Sequence, residues 1–357
     1  MAELAEALAA RGRQVTYIVE RLMSPRRASQ GWQAQTLEKA CLRFAPNVDA
    51  VHQLVNQAPT DSIHICQGFR GNRLIGAAQQ ALAARELKQW VIMETVDDVG
   101  WRGPLKRLVY RHLIYSRQTS LEGVLATGHA TPDWLIRRGM PRECVFPFAY
   151  FLPERRASYA TARTRSARYR VMFVGQFIER KRLDLLIDAL AGIADDCIFE
   201  LVVAGSGSRE NELRAMAQSR LAGRVEWLGR LSLNDVPAYM ATADCLVLPS
   251  RHDGWGAVIS EALMTGTPAI CSDRCGVAGA VKASGCGGVF RSGDVEDLSR
   301  LLRCEIARGL QTSQRRLALA DWAKCLGAKA GAAYLDAILS HAAGEAERPP
   351  APFLQEG

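Results

Sequence analysis

The chain has 357 residues, of which 48% are hydrophobic and 23% charged, and its formal net charge is +8. This composition is typical of an ordinary globular protein, and the length favours two domains. No run approaches the roughly 18 uncharged apolar residues that a membrane-spanning helix needs, and the first residues do not resemble a signal peptide. We therefore predict a cytoplasmic protein.

The positive charge is concentrated in one half of the chain. Residues 1–165 contain 23 basic and 14 acidic residues, a net charge of +9, whereas residues 166–357 have a net charge of −1. Neither aromatic interleaving nor a recognisable nucleic-acid module accompanies the excess, so nucleic acid is not a predicted partner. A surface that meets anionic lipid headgroups or an acidic acceptor explains the asymmetry better.

The ten cysteines lie mostly in apolar, strand-like runs, and none of them forms a CxxC pair. The spacing therefore predicts buried thiols and no metal site. Thiols of this kind agree with a reducing compartment.

The chain opens with a helical pattern over residues 2–12 that leads directly into the strand candidate VTYIV, residues 15–19. In a doubly wound sheet the first strand is central, and the residues before this helix include no such strand. We therefore expect the native start to lie upstream by one strand and one turn.

Short β-branched and aromatic runs alternate with longer helical patterns along the rest of the chain. The further strand candidates are residues 62–66, 90–93, 123–126, 144–147, 169–175, 199–205, 224–229, 245–249, 268–271 and 287–290. This alternation predicts an α/β protein with two doubly wound domains and parallel sheets. Ligands bind such sheets beyond the carboxyl ends of the strands, so we expect the site in an interdomain cleft.

The composition also predicts where the domains end. We place the N-terminal domain at residues 1–152, a linker rich in Arg, Ser, Thr and Ala at 153–168, and the C-terminal domain at 169–312. A helical segment follows at residues 313–342. The composition of residues 343–357 predicts a disordered tail.

The segment PSRHDGWGAVISEALMTG, residues 249–266, carries the sharpest chemical signal. It places Asp253 in a glycine-punctuated turn and Glu261 about one turn inside an amphipathic helix, so both carboxylates can face a ligand at the helix N-terminus. Gly254 and Gly256 let the backbone approach that ligand closely. The free N–H groups of the first helical turn suit a diphosphate, so the pattern indicates a site for a sugar attached to phosphate.

Four segments in this order resemble a known family. They are VGQFIERKR (174–182), VVAGSGS (202–208), VEWLGRLS (225–232) and LPSRHDGWGAVISEALMTGTPAICSD (248–273). They resemble the retaining glycosyltransferases of family 4, among the glycosyl transferases group 1. The resemblance implies the GT-B fold, with two facing Rossmann-like domains, and makes the C-terminal domain the nucleotide-sugar-binding one and the N-terminal domain the acceptor side.

The resemblance also implies roles for single residues. Glu261 would bind the ribose hydroxyls, and Asp253 takes the position of the first Glu of the family's E-x7-E pair, beside the anomeric carbon of the donor sugar. Lys181 would neutralise the departing diphosphate. Gln176 stands where the family usually has Arg, and the adjacent Arg180 would supply the missing charge.

The implied donor site contains further loop and helix-start positions. The predicted donor-binding residues are Gly175, Gln176, Arg180, Lys181, Gly205, Ser206, Gly229, Asp253, Gly254, Trp255, Gly256, Ala257, Val258 and Glu261. The chain has no Asp-x-Asp triplet for a metal on the diphosphate, so we predict metal-independent transfer with no cofactor besides the donor. A lone acidic residue at a turn can also be a helix cap, and a lone lysine is usually a surface residue; the surrounding motif argues against both.

The N-terminal half lacks a comparable signature. Glu94 and His129 both follow strand candidates, and we predict catalytic or acceptor-side roles for them, His129 by accepting the acceptor proton. His64 lies within a strand, which is typical of a buried, hydrogen-bonded histidine, while Gly68 in the following turn would border the cleft.

Residues 102–117 combine basic and apolar positions at helical spacing, and two interpretations remain open. One is a membrane-surface helix that brings the protein to a lipid-linked acceptor. The other is an ordinary helix whose apolar stripe packs on the sheet while its charges face water.

The residues and the resemblance together predict an enzyme at the inner face of the membrane. It would transfer a hexose-type sugar, with retention, from a nucleotide-sugar donor to a polysaccharide or glycolipid, in peripheral contact with anionic membrane. Two alternatives remain: another GT-B enzyme such as a nucleotide-sugar epimerase, and a catalytically silent sugar-nucleotide-binding subunit. The expected absence of the first strand and the departures at Gln176 and Asp253 support the silent subunit.

Overall fold

The computed structural model describes residues 1–23, 37–69, 72–154 and 168–356. The chain divides into two compact units, the first comprising Met1–Phe151 and Ala328–Ala351 and the second comprising Leu152–Gly327 and Pro352–Gly357. Every strand pairing is parallel, which confirms the predicted α/β class. Most of the predicted linker, residues 155–167, lies outside the described residues.

The first unit contains two parallel sheets. Its strands are β1 (Thr16–Val19), β2 (Cys41–Phe44), β3 (Ile63–Gln67), β4 (Lys88–Glu94), β5 (Leu121–Thr127) and β6 (Val145–Phe148). β1 pairs with β2, and the other four form a sheet in the order β3-β4-β5-β6. The short strand β2 is absent from the sequence prediction.

Helices cover the sheets of the first unit. They are α1 (Ala2–Ala10), α2 (Val48–Gln57), α3 (Arg73–Ala84), α4 (Gly103–Arg117), α5 (Thr131–Ile136) and α13 (Ala328–Ala342). Asn47 and Asn72 cap α2 and α3, since their side chains accept hydrogen bonds from the third residue of the following turn. The central strands β4 and β5 are almost fully buried, as expected for parallel strands covered by helices.

The second unit contains one parallel sheet of six strands. They are β7 (Tyr169–Val174), β8 (Phe199–Ala204), β9 (Val225–Gly229), β10 (Cys245–Leu248), β11 (Ala269–Ser272) and β12 (Gly287–Phe290). Their order is β12-β11-β10-β7-β8-β9, so the chain moves outward from β7 through β9 and then crosses to the other side at β10. The direction of winding therefore reverses between β7 and β10, which is where ligands bind in open α/β sheets.

The helices of the second unit position its loops. They are α6 (Leu183–Ala191), α7 (Glu210–Arg220), α8 (Val236–Thr242), α9 (Ala257–Met264), α10 (Ala278–Ala283), α11 (Val295–Ala307) and α12 (Ser313–Trp322). The core under β7 and β8 is rich in fully buried side chains, among them Phe173, Phe177 and Leu186. This packing fixes the carboxyl ends of the central strands.

The end of the chain differs from the prediction. The helical segment predicted at 313–342 is divided, because α12 lies in the second unit while α13 lies in the first. The tail predicted to be disordered contains a 3-10 helix, Pro352–Leu354, whose Phe353 is buried in the second unit. Composition conceals this anchor, since one aromatic residue among prolines and charges does not alter the average hydrophobicity of the segment.

Two helical glycines of the first unit give a matched test of the packing. A Cβ at Gly331 in α13 would lie 2.3 Å from the ring of Phe151, whereas a Cβ at Gly76 in α3 would meet nothing within 4 Å. We expect Gly331→Ala to lower the free energy of unfolding by about 1–3 kcal/mol through overpacking. Gly76→Ala should raise it by about 0.5–1 kcal/mol through helix propensity. Chemical denaturation checks both, and equal effects would contradict the packing of α13 described here.

Candidate functional site

The loops that follow β7 and β10 meet at the point where the winding of the second sheet reverses. Residues 175–182 leave β7, and residues 249–256 leave β10. The backbone N–H of Arg251 donates to the carbonyl of Arg180 at 2.9 Å, which joins the two loops directly. The two motifs that lie about 70 residues apart in sequence are therefore one structural site.

An ion pair occupies the centre of this site. Lys181 Nζ donates to Asp253 Oδ2 at 2.6 Å, and the two side chains are only 15% and 16% exposed. Arg180 Nη1 lies 3.5 Å from the same Oδ2 and donates to the carbonyl of His252 at 2.7 Å. Two cations thus converge on one carboxylate, so a ligand that carries negative charge can compete with Asp253 for both.

The Asp253 backbone is held by the neighbouring loop after β11. Its N–H donates to the carbonyl of Arg274 at 3.1 Å, and its carbonyl accepts from the N–H of Gly276 at 3.0 Å. These bonds form an isolated parallel bridge between Asp253 and Cys275. The position of the carboxylate is therefore set by the backbone as well as by its ion pair.

The residue after Lys181 has an unusual backbone conformation. Arg182 has φ of 54°, in the left-handed region that non-glycine residues seldom adopt. Its Nε donates to Asp184 Oδ2 at 3.1 Å, and Arg209 Nη1 donates to the other oxygen of the same carboxylate at 3.3 Å. These bonds hold the turn that directs Lys181 toward Asp253, and such conformations cluster at functional sites.

The glycine-rich turn after β8 brings a third strand end to the site. Gly205 has φ of 144°, and a Cβ on it would lie 1.9 Å from the carbonyl oxygen of Gly175, so this close approach requires glycine. The N–H of Gly205 donates to the carbonyl of Gly229 at 2.7 Å, and Phe177 N–H donates to the carbonyl of Ser206 at 3.0 Å. The predicted positions after β7, β8 and β9 are therefore contiguous.

Helix α9 begins directly beyond the Asp253 turn. Gly256 is its N-cap, and no side chain caps the helix there. The first helical residues, Ala257 and Val258, are half-buried. The N–H groups of a first helical turn have no partner within the helix, and they lie at the positive end of the helix dipole. Glu261 is half-buried in the second turn of α9. The helix start is thus suited to an anion, as the sequence predicts.

Trp255, a predicted donor-binding residue, is buried as a support of the loop. Its indole N–H donates to Ser260 Oγ at 3.0 Å. The ring of Phe353, from the C-terminal 3-10 helix, packs edge-on against it with ring centroids 5.8 Å apart. Sequence reasoning missed Phe353, and its only signal was an isolated aromatic residue in a polar tail.

Two other residues complete the picture of this site. Gln176 is half-buried in the loop after β7, between Gly175 and the fully buried Phe177. Arg230, which the sequence analysis missed, donates from Nη2 to Ser206 Oγ at 3.1 Å. Its guanidinium is a further cation beside the glycine-rich turn.

In the first unit, Glu94 and His129 lie at the carboxyl ends of the two central strands. Glu94 ends β4, paired in register with Thr127 of β5, and His129 follows two residues later; both side chains are exposed. The loops that carry them are tied together by a 2.6 Å hydrogen bond between the hydroxyls of Thr95 and Thr131. The structure thus brings these two predicted residues to neighbouring strand ends.

His64 has the structural role that the sequence predicts. It is half-buried in β3, and its Nε2 lies 2.9 Å from the hydroxyl of Ser62. Burial lowers the pKa of His64, and the nearby Arg85 charge lowers it further. Gly68 follows the strand, with its carbonyl accepting from Gln79 Nε2 at 3.1 Å.

The described residues include neither a candidate metal cluster nor a candidate membrane-spanning helix. They contain no group of three or more His, Cys, Asp or Glu side chains arranged to hold a metal ion. None of their helices combines the length and the apolar character needed to cross a bilayer.

The candidate site lies within a part of the chain that is similar to a known protein family. Residues 159–310 match the family described as glycosyl transferases group 1. An uncharacterized glycosyltransferase of Methanocaldococcus jannaschii, MJ1178, is 33% identical over 119 residues, covering 33% of this chain and 32% of the relative. The phosphatidyl-myo-inositol mannosyltransferase of Mycobacterium leprae is 30% identical over 146 residues, covering 39% and 38%. The matches thus span about a third of these relatives' length.

A solved structure resembles the whole chain. Anabaena Alr3699/HepE in complex with UDP has a TM-score of 0.71 at 16% identity, and the likeness covers 95% of this chain and 96% of that one. This confirms the predicted GT-B fold class. The matching segment contains every predicted donor-binding residue but neither Glu94 nor His129. The assignment to family 4 stays a prediction.

The contact between Phe353 and Trp255 can be tested without a ligand. We expect Phe353→Ala to lower the free energy of unfolding by about 3 kcal/mol, as for a buried phenylalanine, and to speed amide hydrogen exchange in residues 249–256. Leu354→Ala, at the partly exposed neighbouring position, is the matched control and should change both by little. Unchanged exchange in Phe353→Ala would show that the tail does not support the loop.

Proposed function

We propose that the protein is a retaining glycosyltransferase, because residues 159–310 match the glycosyl transferases group 1. It transfers a hexose-type sugar from a nucleotide-sugar donor to a polysaccharide or glycolipid acceptor. The observation that carries this proposal is the pairing of Lys181 with Asp253, at the reversal point of the sheet and beside the start of α9. A cation, a carboxylate and a helix N-terminus are the groups that a sugar diphosphate needs.

The diphosphate binds where the two loops meet. Its negative charge draws Lys181 and Arg180 away from Asp253, while the N–H groups at the start of α9 donate hydrogen bonds to the remaining phosphate oxygens. The similarly folded Alr3699/HepE was solved in complex with UDP, which supports a nucleotide as part of the donor. Glu261, in the second turn of α9, is the proposed acceptor of hydrogen bonds from the ribose hydroxyls.

Transfer exchanges one bond at the anomeric carbon for another. The bond from that carbon to the diphosphate oxygen breaks, a bond to the acceptor oxygen forms on the same face, and the acceptor proton leaves to a base or to the departing phosphate. The positive charge that develops on the sugar is stabilised by the carboxylate of Asp253, freed from its ion pair. Lys181 and the α9 N–H groups stabilise the departing diphosphate, so we propose that the step proceeds without a metal.

The acceptor is proposed to be lipid-linked or part of a polysaccharide. The similar M. leprae protein is a phosphatidyl-myo-inositol mannosyltransferase, which acts on a lipid. The net charge of +9 on residues 1–165 supports a place at the anionic inner face of the membrane. Glu94 and His129, at the carboxyl ends of the first unit's central strands, are the proposed acceptor-side groups.

One assay tests the transferase. The protein is incubated with UDP-, GDP- and dTDP-sugars, and nucleotide release is measured with and without membrane lipid extract. Glu261→Gln should lower turnover of the preferred donor strongly, and Lys181→Met should lower kcat by about 10²–10³-fold, as expected for loss of a group that stabilises developing charge.

Arg251→Ala is the control for both. Arg251 lies in the same loop, but its ion pair with Glu179 is largely exposed, so its loss should leave turnover within about twofold. Donor binding without release by the unaltered protein, with every sugar and lipid, would instead identify a silent binding subunit. Conversion of the donor sugar without transfer would identify an epimerase.

A separate variant tests the length of the Asp253 side chain. Asp253→Glu restores the residue that the family usually has, and we expect it to keep or raise turnover, while Asp253→Asn should lower kcat more than it raises KM, since the charge acts in the transition state. Steady-state kinetics with the preferred donor measures both. An inactive Asp253→Glu would mean that the site is built around the shorter side chain.

A further inference from the structure

Helix α4 and the turn before it present large apolar side chains to solvent. The exposed fractions are 83% for Trp101, 62% for Leu105, 64% for Leu108 and 75% for Tyr115. Leu105, Leu108 and Tyr115 lie within about 80° of one another around the helix, since successive residues turn by 100°. We call these four residues the α4 face. Clusters of exposed apolar side chains mark interaction sites on proteins that are otherwise well packed.

A different face of α4 already packs on the sheet. Ile114 is fully buried in the core of the first unit, and Tyr110 and Leu113 pack against that core. The helix therefore has two apolar sides, of which one is covered. The ordinary packing helix that the sequence allows therefore explains the buried side of α4. It does not explain why Leu105 and Leu108 are exposed on the other side.

Basic groups border the α4 face. Arg111 is exposed and has no ion pair among the residues that the structure describes, and His112 is exposed beside it. A hollow of about 340 Å³ opens at this position, lined in part by Leu108, Arg111, Tyr115 and Arg138. Its walls thus combine apolar side chains with the exposed guanidinium of Arg111, whereas the guanidinium of Arg138 is paired with Asp98 at 3.0 Å.

The basic side chains at the N-terminal end of α4 contact neighbouring protein groups. Arg102 lies over the ring of Trp101, 4.6 Å from its centroid, and Lys106 donates to the carbonyl of Asp97. Arg107 pairs with Asp98 at 3.4 Å. The Arg102 contact is a cation–π interaction, and Arg111 is the basic side chain of α4 most available to a partner.

We propose that the α4 face binds the surface of an anionic lipid bilayer. Tryptophan and tyrosine favour the headgroup region, leucine side chains reach the acyl boundary, and arginine pairs with lipid phosphate. The mixture of aromatic, apolar and basic groups on one side of a helix fits this partner better than a second protein, whose interface core is depleted of charge. The hollow beside Arg111 accommodates one anionic headgroup.

This inference deepens the proposed function, because it names the surface through which the enzyme would reach a lipid-linked acceptor. The inference is tested by binding of the protein to lipid vesicles, without any donor. It can therefore fail while the proposed transferase activity is found, and the reverse. A protein that binds vesicles without donor turnover would retain this surface and lose the proposed function. A protein that turns over donor without binding vesicles would do the reverse.

The test is sedimentation of the full chain with vesicles of phosphatidylcholine, alone or with 30% phosphatidylglycerol. We expect binding to the anionic vesicles only, weakened by salt, together with a blue shift of tryptophan emission as Trp101 enters the interface. Leu105→Ser with Leu108→Ser should reduce the partition coefficient at least tenfold. Arg111→Glu should reduce it severalfold and flatten its salt dependence.

Matched controls come from the other unit. Ile198 is 69% exposed, so Ile198→Ser removes a similarly exposed apolar side chain and should leave vesicle binding unchanged. Circular dichroism and thermal unfolding confirm that each variant is folded. Equal binding by the wild type and the Leu105→Ser/Leu108→Ser variant would overturn the proposal. So would a dimer in solution, measured by light scattering, that this double substitution dissociates, because the face would then bind a second copy.

Discussion

The ion pair between Lys181 and Asp253 is the interaction on which the candidate site depends. It joins the loop after β7 to the loop after β10 at 2.6 Å, across the position where the sheet reverses its winding. A carboxylate and an ammonium that are both mostly shielded from water must remain paired, or one of them must receive another partner. In the proposed donor complex, a phosphate becomes the new partner of Lys181 in place of Asp253.

Hydrogen bonds around the ion pair hold the two loops in place. Asp253 is bonded to Arg274 and Gly276 through its main chain, and Lys181 precedes a left-handed Arg182 that Asp184 holds in place. In the proposed exchange of Asp253 for a phosphate, these bonds keep both loops in place. A site that is organised before the ligand arrives loses less binding free energy to ordering its own groups. The same restraint limits how far a shorter side chain at position 253 impairs the geometry.

The sequence predicts the features that arise from local patterns. The strands around the site were located to within one or two residues, because buried parallel strands are continuous β-branched and aromatic runs. The meeting of Lys181 with Asp253 follows from the order of those strands. Phe353, Arg230 and β2 were missed because each depends on a tertiary contact or on pairing of a short, mostly exposed segment, for which periodicity gives no signal.

The two units also differ in how far a motif can identify function. The proposed donor site consists of backbone N–H groups, glycines and a few charges whose spacing is tightly constrained, so it leaves a pattern in the sequence. The α4 face needs only apolar and basic side chains on one side of a helix, and many sequences satisfy that condition. Its evidence is exposure, since Leu105 and Leu108 face solvent although the same helix has a buried side available at Ile114. A surface that meets a fluid bilayer needs no fixed geometry, so the exposure of these side chains, and not their spacing, is the support for the membrane proposal.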